Sequence, residues 1–208
     1  VAIGLLKAAA NGAAANVRLL SASAATTDLT PKMAPWTSIF SDDFNRADSA
    51  ALGASWTEKG NFDIVTNKIK LIADLPSNAV VAYHTGGSYT GADYFVQAAV
   101  NLNGVAGSSY VGVVGRRVAS GADDSDGYYA FVQDSTDTVL LYKRVSGTWT
   151  LLVSAPAVIN TTQDYTIKLW MQGSTIKVFL DGVEMISTTD ASLTAAGSGG
   201  ITAGTVPA

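Results

Sequence analysis

No cysteine occurs in the 208 residues, which excludes disulfides, thiolate metal sites and cysteine nucleophiles. Histidine occurs once, at His84, and glutamate twice, at Glu58 and Glu184. A nucleophilic triad has one imidazole to draw on, and no Gly-x-Ser-x-Gly elbow follows a strand to supply its serine. Charged side chains make up only 14% of the chain, against about 25% in an ordinary globular protein. The two adjacent basic pairs, Arg116-Arg117 and Lys143-Arg144, are isolated, and the net charge is −4. Binding to nucleic acid by phosphate neutralisation is thereby excluded. No apolar run is long enough to span a bilayer. Val1 to Leu20 lacks a basic leader, and Lys7 interrupts its apolar residues, so it does not read as a signal peptide.

What is present divides into two zones. Residues 1–37 are rich in Ala, Ser and Thr. Ile3, Leu6, Ala10, Ala13, Val17 and Leu20 follow a helix-like spacing, weakened by Gly12. This zone is expected to be an arm, partly helical or extended, that docks on a partner through Ile3, Leu5, Leu6, Leu19 and Leu20. Residues 38–208 read as short strands separated by turns. In Lys68-Ile69-Lys70-Leu71 the alternation puts two isoleucine and leucine side chains on one face and two lysines on the other. Tyr110 to Val118 is apolar on both faces, as a central strand is, and Gly112 and Gly115 within it predict close packing or a bulge. Val145-Ser146-Gly147 joins one hairpin, and Asp181-Gly182 predicts a type I′ turn in another. About a dozen strands without helical crossovers predict an all-β fold of two antiparallel sheets.

These residues also carry a resemblance. Phe40 to Asp48 with Leu52 to Trp56 resembles the opening of concanavalin A-like, laminin-G-like jelly rolls. Tyr110 to Arg116 and Gly127 to Phe131 look like the paired central strands, and Tyr165 to Gly182 like the late hairpin. Asp190 to Leu193 and Gly197 to Ile201 look like the closing segment that returns to the first strand. The resemblance covers roughly residues 38 to 205. It implies a two-sheet sandwich of the lectin/glucanase superfamily, which holds glycan-binding modules, glucanases and accessory domains of phage structural proteins. Fold alone does not choose among them.

The glucanases of this fold carry a glutamate, an aspartate two residues on and a second glutamate on one strand face. Neither Glu58 nor Glu184 has an acidic residue two positions later, so that motif is absent and no catalytic residue is assigned. Sugar binding draws on aromatic platforms with amides and carboxylates. The residues expected to serve are Tyr83, Tyr89, Tyr94, Asn103, Tyr110, Tyr128 and Trp149, whereas Trp56 and Trp170 fall within strong strand patterns and read as core. His84 ends a strand and reads as a surface residue. Asp123, Asp124 and Asp126 look like part of a calcium loop, but Ala122 and Gln133 stand where an EF-hand needs acids. Related sandwiches hold a calcium between the first strand and the closing segment, which here implies Asp43 and Asp190. No cofactor is assigned, and a structural calcium at that pair is the one candidate.

The leading expectation for function is a non-catalytic structural or attachment protein on a virion exterior, a phage capsid decoration or tail-associated module with glycan-binding capacity. Its partners would be other capsid or tail proteins and further copies of itself. The alternative is a secreted or cell-surface, hence extracellular, carbohydrate-binding module. A glycoside hydrolase is the minor alternative.

Overall fold

The computed structural model describes residues 3–7, 37–73, 80–86, 89–104, 107, 109–118 and 125–205. Among them the chain forms fifteen strands and no helix. In order they are β1 (Ile3–Lys7), β2 (Thr37–Asp42), β3 (Trp56–Lys59), β4 (Asn61–Val65), β5 (Lys68–Ala73), β6 (Val81–His84), β7 (Tyr94–Val100) and β8 (Ser109–Val118). There follow β9 (Asp126–Gln133), β10 (Thr138–Val145), β11 (Thr148–Pro156), β12 (Tyr165–Gln172), β13 (Thr175–Leu180), β14 (Val183–Thr189) and β15 (Ser198–Thr205). One sheet runs β14-β13-β12-β7-β1-β2, the other β11-β10-β9-β8-β15-β6-β3, and β4-β5 is a separate hairpin. Every pairing is antiparallel.

The period-two pattern read from the sequence sets the layers. In β7, β12 and β13 buried and half-buried residues alternate without a break, so one face of the six-stranded sheet lies in the core. Val96, Ile167, Leu169, Met171 and Val178 from that face meet Val113, Tyr128, Ala130, Val132 and Leu141 from the seven-stranded sheet. Strands β8 and β9 are central and buried on both faces, as the apolar run from Tyr110 predicts. Gly112 permits the close approach of β9, and Gly115 begins a bulge that ends at Val118, with its α-carbon against Met171. Three tight turns place both central residues at positive φ: Thr66-Asn67 (52° and 58°), Ser146-Gly147 (50° and 78°) and Asp181-Gly182 (49° and 84°). The last is the type I′ geometry that the Asp-Gly pair predicts.

The arm, expected to be partly helical or extended, begins extended: Ile3–Lys7 is a strand inserted between β2 and β7, with Leu5 opposite Phe40 on one side and Val96 on the other, and three further expectations are corrected. Sheet pairing on both flanks satisfies its backbone groups and overrides the weak helical spacing. Ile3, Leu5 and Leu6 thus belong to a strand of the sandwich itself, while Leu19 and Leu20 lie outside the described residues. The closing strand β15 does not return to β2 but sits between β8 and β6 in the opposite sheet. Trp170 is half-buried on the outer face of the six-stranded sheet, because its neighbours Leu169 and Met171 take the core positions.

His84 is the third. It is 4% exposed, its ring stacked on Phe40 with centroids 3.4 Å apart, and Trp56 packs edge-on to it at 5.8 Å. Burial lowers the imidazole's affinity for a proton, and the nearby Asp42 carboxylate opposes this only in part. The unfolded chain therefore binds a proton near its ordinary value of 6.5 that the folded chain refuses. Stability should fall as pH drops below that value and level off below the lowered folded value. Urea unfolding between about pH 7.5 and about pH 5, above the range of ordinary carboxylates, should show this slope in the native chain and lose it in His84→Gln.

Candidate functional site

The seven-stranded sheet carries a second apolar layer on the face turned away from the core. Val81, Tyr83, Tyr110, Val114, Tyr129, Phe131 and Leu140 form it, with Tyr142 and Trp149 packed against its margin. The register explains the arrangement. Phe131 stands opposite Gly112 on one side and Leu140 on the other, and Trp149 opposite Arg144, so the ring pairs Tyr110–Phe131, Phe131–Tyr142 and Tyr142–Trp149 are diagonal neighbours. A row of four rings crosses β8 to β11: Tyr110 to Phe131 at 4.5 Å, Phe131 to Tyr142 at 5.5 Å, and Tyr142 to Trp149 at 6.0 Å. Arg117 lies over the Tyr83 ring at 3.5 Å and Arg144 over Trp149 at 5.6 Å. Asp126 accepts the amides of Ser146 (2.5 Å) and Gly147 (3.1 Å), fixing the turn beside Arg144.

Tyr110 also belongs to a cavity of about 580 Å³ at one end of the sandwich. The β4–β5 hairpin forms one wall, with Phe62 buried, Ile69 and Leu71 half-buried, and the exposed Lys68 and Lys70 also among the lining. The ends of β7, β8 and β15 form the rest, through Val100, Leu102, Tyr110, Val111 and Ile201. Asn101, Asn103 and Asp164 supply the polar groups. The volume falls within the range of small-molecule sites, about 300 to 1,000 Å³. The loop is pre-set: Asn101 donates to Asp164 Oδ1 (2.7 Å) and to the Thr162 carbonyl (3.2 Å), and its own Oδ1 accepts the Asn103 amide (2.6 Å). Asn103 takes a positive φ of 55°, a conformation asparagine tolerates better than most residues. At the hairpin tip the Thr66 amide donates to Asp48 Oδ1 at 2.7 Å.

Of the residues singled out for sugar binding, Tyr83, Tyr110 and Trp149 converge on the outer face, and Asn103 joins Tyr110 in the cavity. The other three are elsewhere. Tyr94 is fully buried, its hydroxyl donating to the Gly197 carbonyl (2.7 Å) and accepting the Arg116 amide. Tyr128 is buried in the inter-sheet core and donates to Asp190 Oδ1 (2.7 Å). Tyr89 packs between His84 and Tyr94. Burial pushes Tyr89 and Tyr128 each up to about 12, so both remain protonated donors at neutral pH. Without a free ring face, Tyr94 and Tyr128 cannot serve as platforms. The sequence reading missed Asn101, Asp164, Lys68 and Lys70, which reach the cavity from three segments far apart in the chain, and Phe131 and Tyr142, whose strand positions it had identified.

The two aspartates implied for calcium, Asp43 and Asp190, lie in different settings. Asp190 accepts hydrogen bonds from Lys143 (2.8 Å), Tyr128 and the Ser192 amide, so an ammonium already supplies the positive charge. Burial opposes ionisation of Asp190, but these hydrogen bonds outweigh it and hold the carboxyl well below the usual range. Asp43 accepts the amide of Asn45 in an exposed loop. Among the described residues no group of three or more acidic or imidazole side chains is placed to hold a metal. Glu58 is likewise occupied, taking the amides of Leu52 (3.0 Å) and Phe62 (3.3 Å), and Glu184 pairs with Lys177 (2.7 Å).

By sequence, no protein family and no curated protein matches the chain. By structure, it is similar to the carbohydrate binding module CBM66 from Bacillus subtilis, with 19% identity and a TM-score of 0.60 over 72% of this chain and 89% of that one. It is similar to LamAcat from Zobellia galactanivorans, with 12% identity and a TM-score of 0.54 over 81% of this chain and 88% of the other. A LamA structure from the same organism, in complex with laminaritriose and laminaritetraose, gives 11% identity and a TM-score of 0.54 over 81% and 89%. The fold is the concanavalin A-like jelly roll that these structures share.

Proposed function

We propose that the chain is a non-catalytic glycan-binding module that seats a saccharide in the cavity beneath the β4–β5 hairpin. One observation carries the proposal: the cavity joins an apolar wall that includes Tyr110 to two amides and a carboxylate, Asn101, Asn103 and Asp164. A sugar needs that combination, since its C–H faces pack on rings and its hydroxyls both donate and accept. Lys68 and Lys70 add ammonium donors for hydroxyls or for acidic substituents. A binding module and a LamA catalytic domain share the fold, so the fold alone does not decide about catalysis. The lining supports binding. Glycoside hydrolysis needs two carboxylates about 5 to 9.5 Å apart, and Asp164 is the single carboxylate among the described lining residues.

The test is titration of the full chain with a panel of oligosaccharides. Saturable binding should weaken about 10-fold in Asp164→Ala, the loss expected for a hydrogen bond to a charged group. Asn103→Gly, at an exposed position and compatible with the positive φ, should weaken it several-fold with little change in the melting curve. Binding that ignores both substitutions would move the site elsewhere.

Attachment to a virion exterior is the finer form of this proposal, and a secreted module is its counterpart. The sparse charge of the chain supports a surface packed among protein neighbours. Docking through Ile3, Leu5 and Leu6 no longer supports it, because the backbone of that segment is paired on both sides within its own sheet. Antibody labelling of intact particles separates the two locations.

A further inference from the structure

We infer that β11 is the edge through which two copies of this chain associate, pairing antiparallel about a two-fold axis. Among the described residues β11 has one strand partner, β10, and its other side closes the seven-stranded sheet. The edge is nine residues long, about 30 Å at the usual rise per residue. Solitary edges of that length are ordinarily guarded by charge, because unpaired amides and carbonyls template further pairing. The other three sheet edges follow the rule: β2 carries Asp42, β3 carries Glu58 and Lys59, and β14 carries Glu184. The β11 edge does not. From Val145 to Gln163 the sequence has no charged residue. Leu151 is 47% exposed on the strand and Val158 88% exposed just beyond it.

The absence of charge also points to the occupant. Antiparallel pairing about a two-fold sets a strand against its own copy, so any charge near the axis meets a like charge. A strand with none meets itself without repulsion in any register, and it offers nothing to a partner chosen by opposite charge. Thr, Leu and Val are residues that favour such pairing. The bulge at Leu152 and Pro156 at the strand end limit the pairing to registers that leave both outside the hydrogen-bonded ladder. Two copies joined in this way would continue one sheet into the next and double the number of cavities presented to a polymeric ligand.

Sedimentation equilibrium of the full chain, from low to high micromolar, tests this. The expected result is a species of twice the 21.4 kDa chain mass. Leu151→Lys should convert it to the single-chain mass, with an unchanged circular dichroism spectrum showing that the sandwich is intact. Val158→Lys, beyond the strand, should leave the dimer in place. A native chain that stays at the single-chain mass throughout would overturn the inference, as would a dimer that persists in Leu151→Lys. Neither outcome bears on whether one copy binds a glycan.

Discussion

Replacing Arg116 with alanine should destabilise the protein by about 3 to 5 kcal/mol, the range for stranding buried partners of a removed charge. Arg116 is fully buried. Its guanidinium donates to three carbonyls from separate segments: Ala92 (2.8 Å), Leu193 (2.9 Å) and Gly173 (2.8 Å). Asp93 lies 3.5 Å away and supplies the opposite charge. The residue also sits in the β8 bulge at a φ of 47°, where its amide donates to the Tyr94 hydroxyl. One side chain thus holds the start of β7, the β12–β13 turn and the approach to β15 at one end of the sandwich. Alanine would leave three carbonyls unpaired and a void the size of an arginine, and each stranded polar group costs about 1 to 3 kcal/mol when water cannot reach it. Arg116→Lys, with one ammonium in place of a five-donor fork, should fall between. Urea unfolding at neutral pH measures all three proteins. A loss below about 1 kcal/mol in the alanine variant would mean that water replaces the guanidinium.

Gly112→Ala should cost about 3 kcal/mol or more, the upper range for overpacking, because the obstacle is backbone rather than a movable side chain. A methyl group there would lie 2.0 Å from the Ala130 carbonyl oxygen and 2.5 Å from the Phe131 α-carbon. Strands β8 and β9 would have to part at the centre of the seven-stranded sheet. The same shift would disturb the Tyr110–Phe131 contact at 4.5 Å, and with it a wall of the cavity, so glycan affinity should fall together with stability. Gly104→Ala is the contrast. Its added carbon meets nothing within 4 Å, and only the φ of +76° stands against it. That change should cost about 1 to 2 kcal/mol, the penalty of a left-handed conformation. Gly112 has no positive φ of its own, so a loss there no larger than at Gly104 would show that β8 and β9 part at little cost.

Much of the fold is legible in local pattern, and the reason is physical. Alternation in Lys68–Leu71 and Tyr165–Met171, and turn chemistry at Asp181-Gly182, are properties of a few adjacent residues, and the structure reproduces them. Strand partners are not local. Gly197 to Ile201 reads as a closing strand, yet nothing within it says that it pairs with β8 and β6 rather than with β2. Ile3–Lys7 could be read as helical or extended for a related reason, since its strand conformation is imposed by β2 and β7. The site divides along the same line. Tyr110 and Asn103 could be picked out by residue type, but the cavity exists only because the β4–β5 hairpin stands over the ends of β7, β8 and β15. Tyr94 and Tyr128 look like platforms in sequence and prove to be core, because a phenol satisfies its hydroxyl inside a sandwich as readily as at its surface.

The central claim, that the cavity holds a saccharide without cleaving it, is tested most directly by incubating the full chain with an oligosaccharide it binds, following heat release and products together. The account predicts saturable binding that Asp164→Ala weakens about 10-fold, with the sugar recovered intact. Shortened products formed by the native chain, or heat release unchanged in the Asp164→Ala variant, would contradict it.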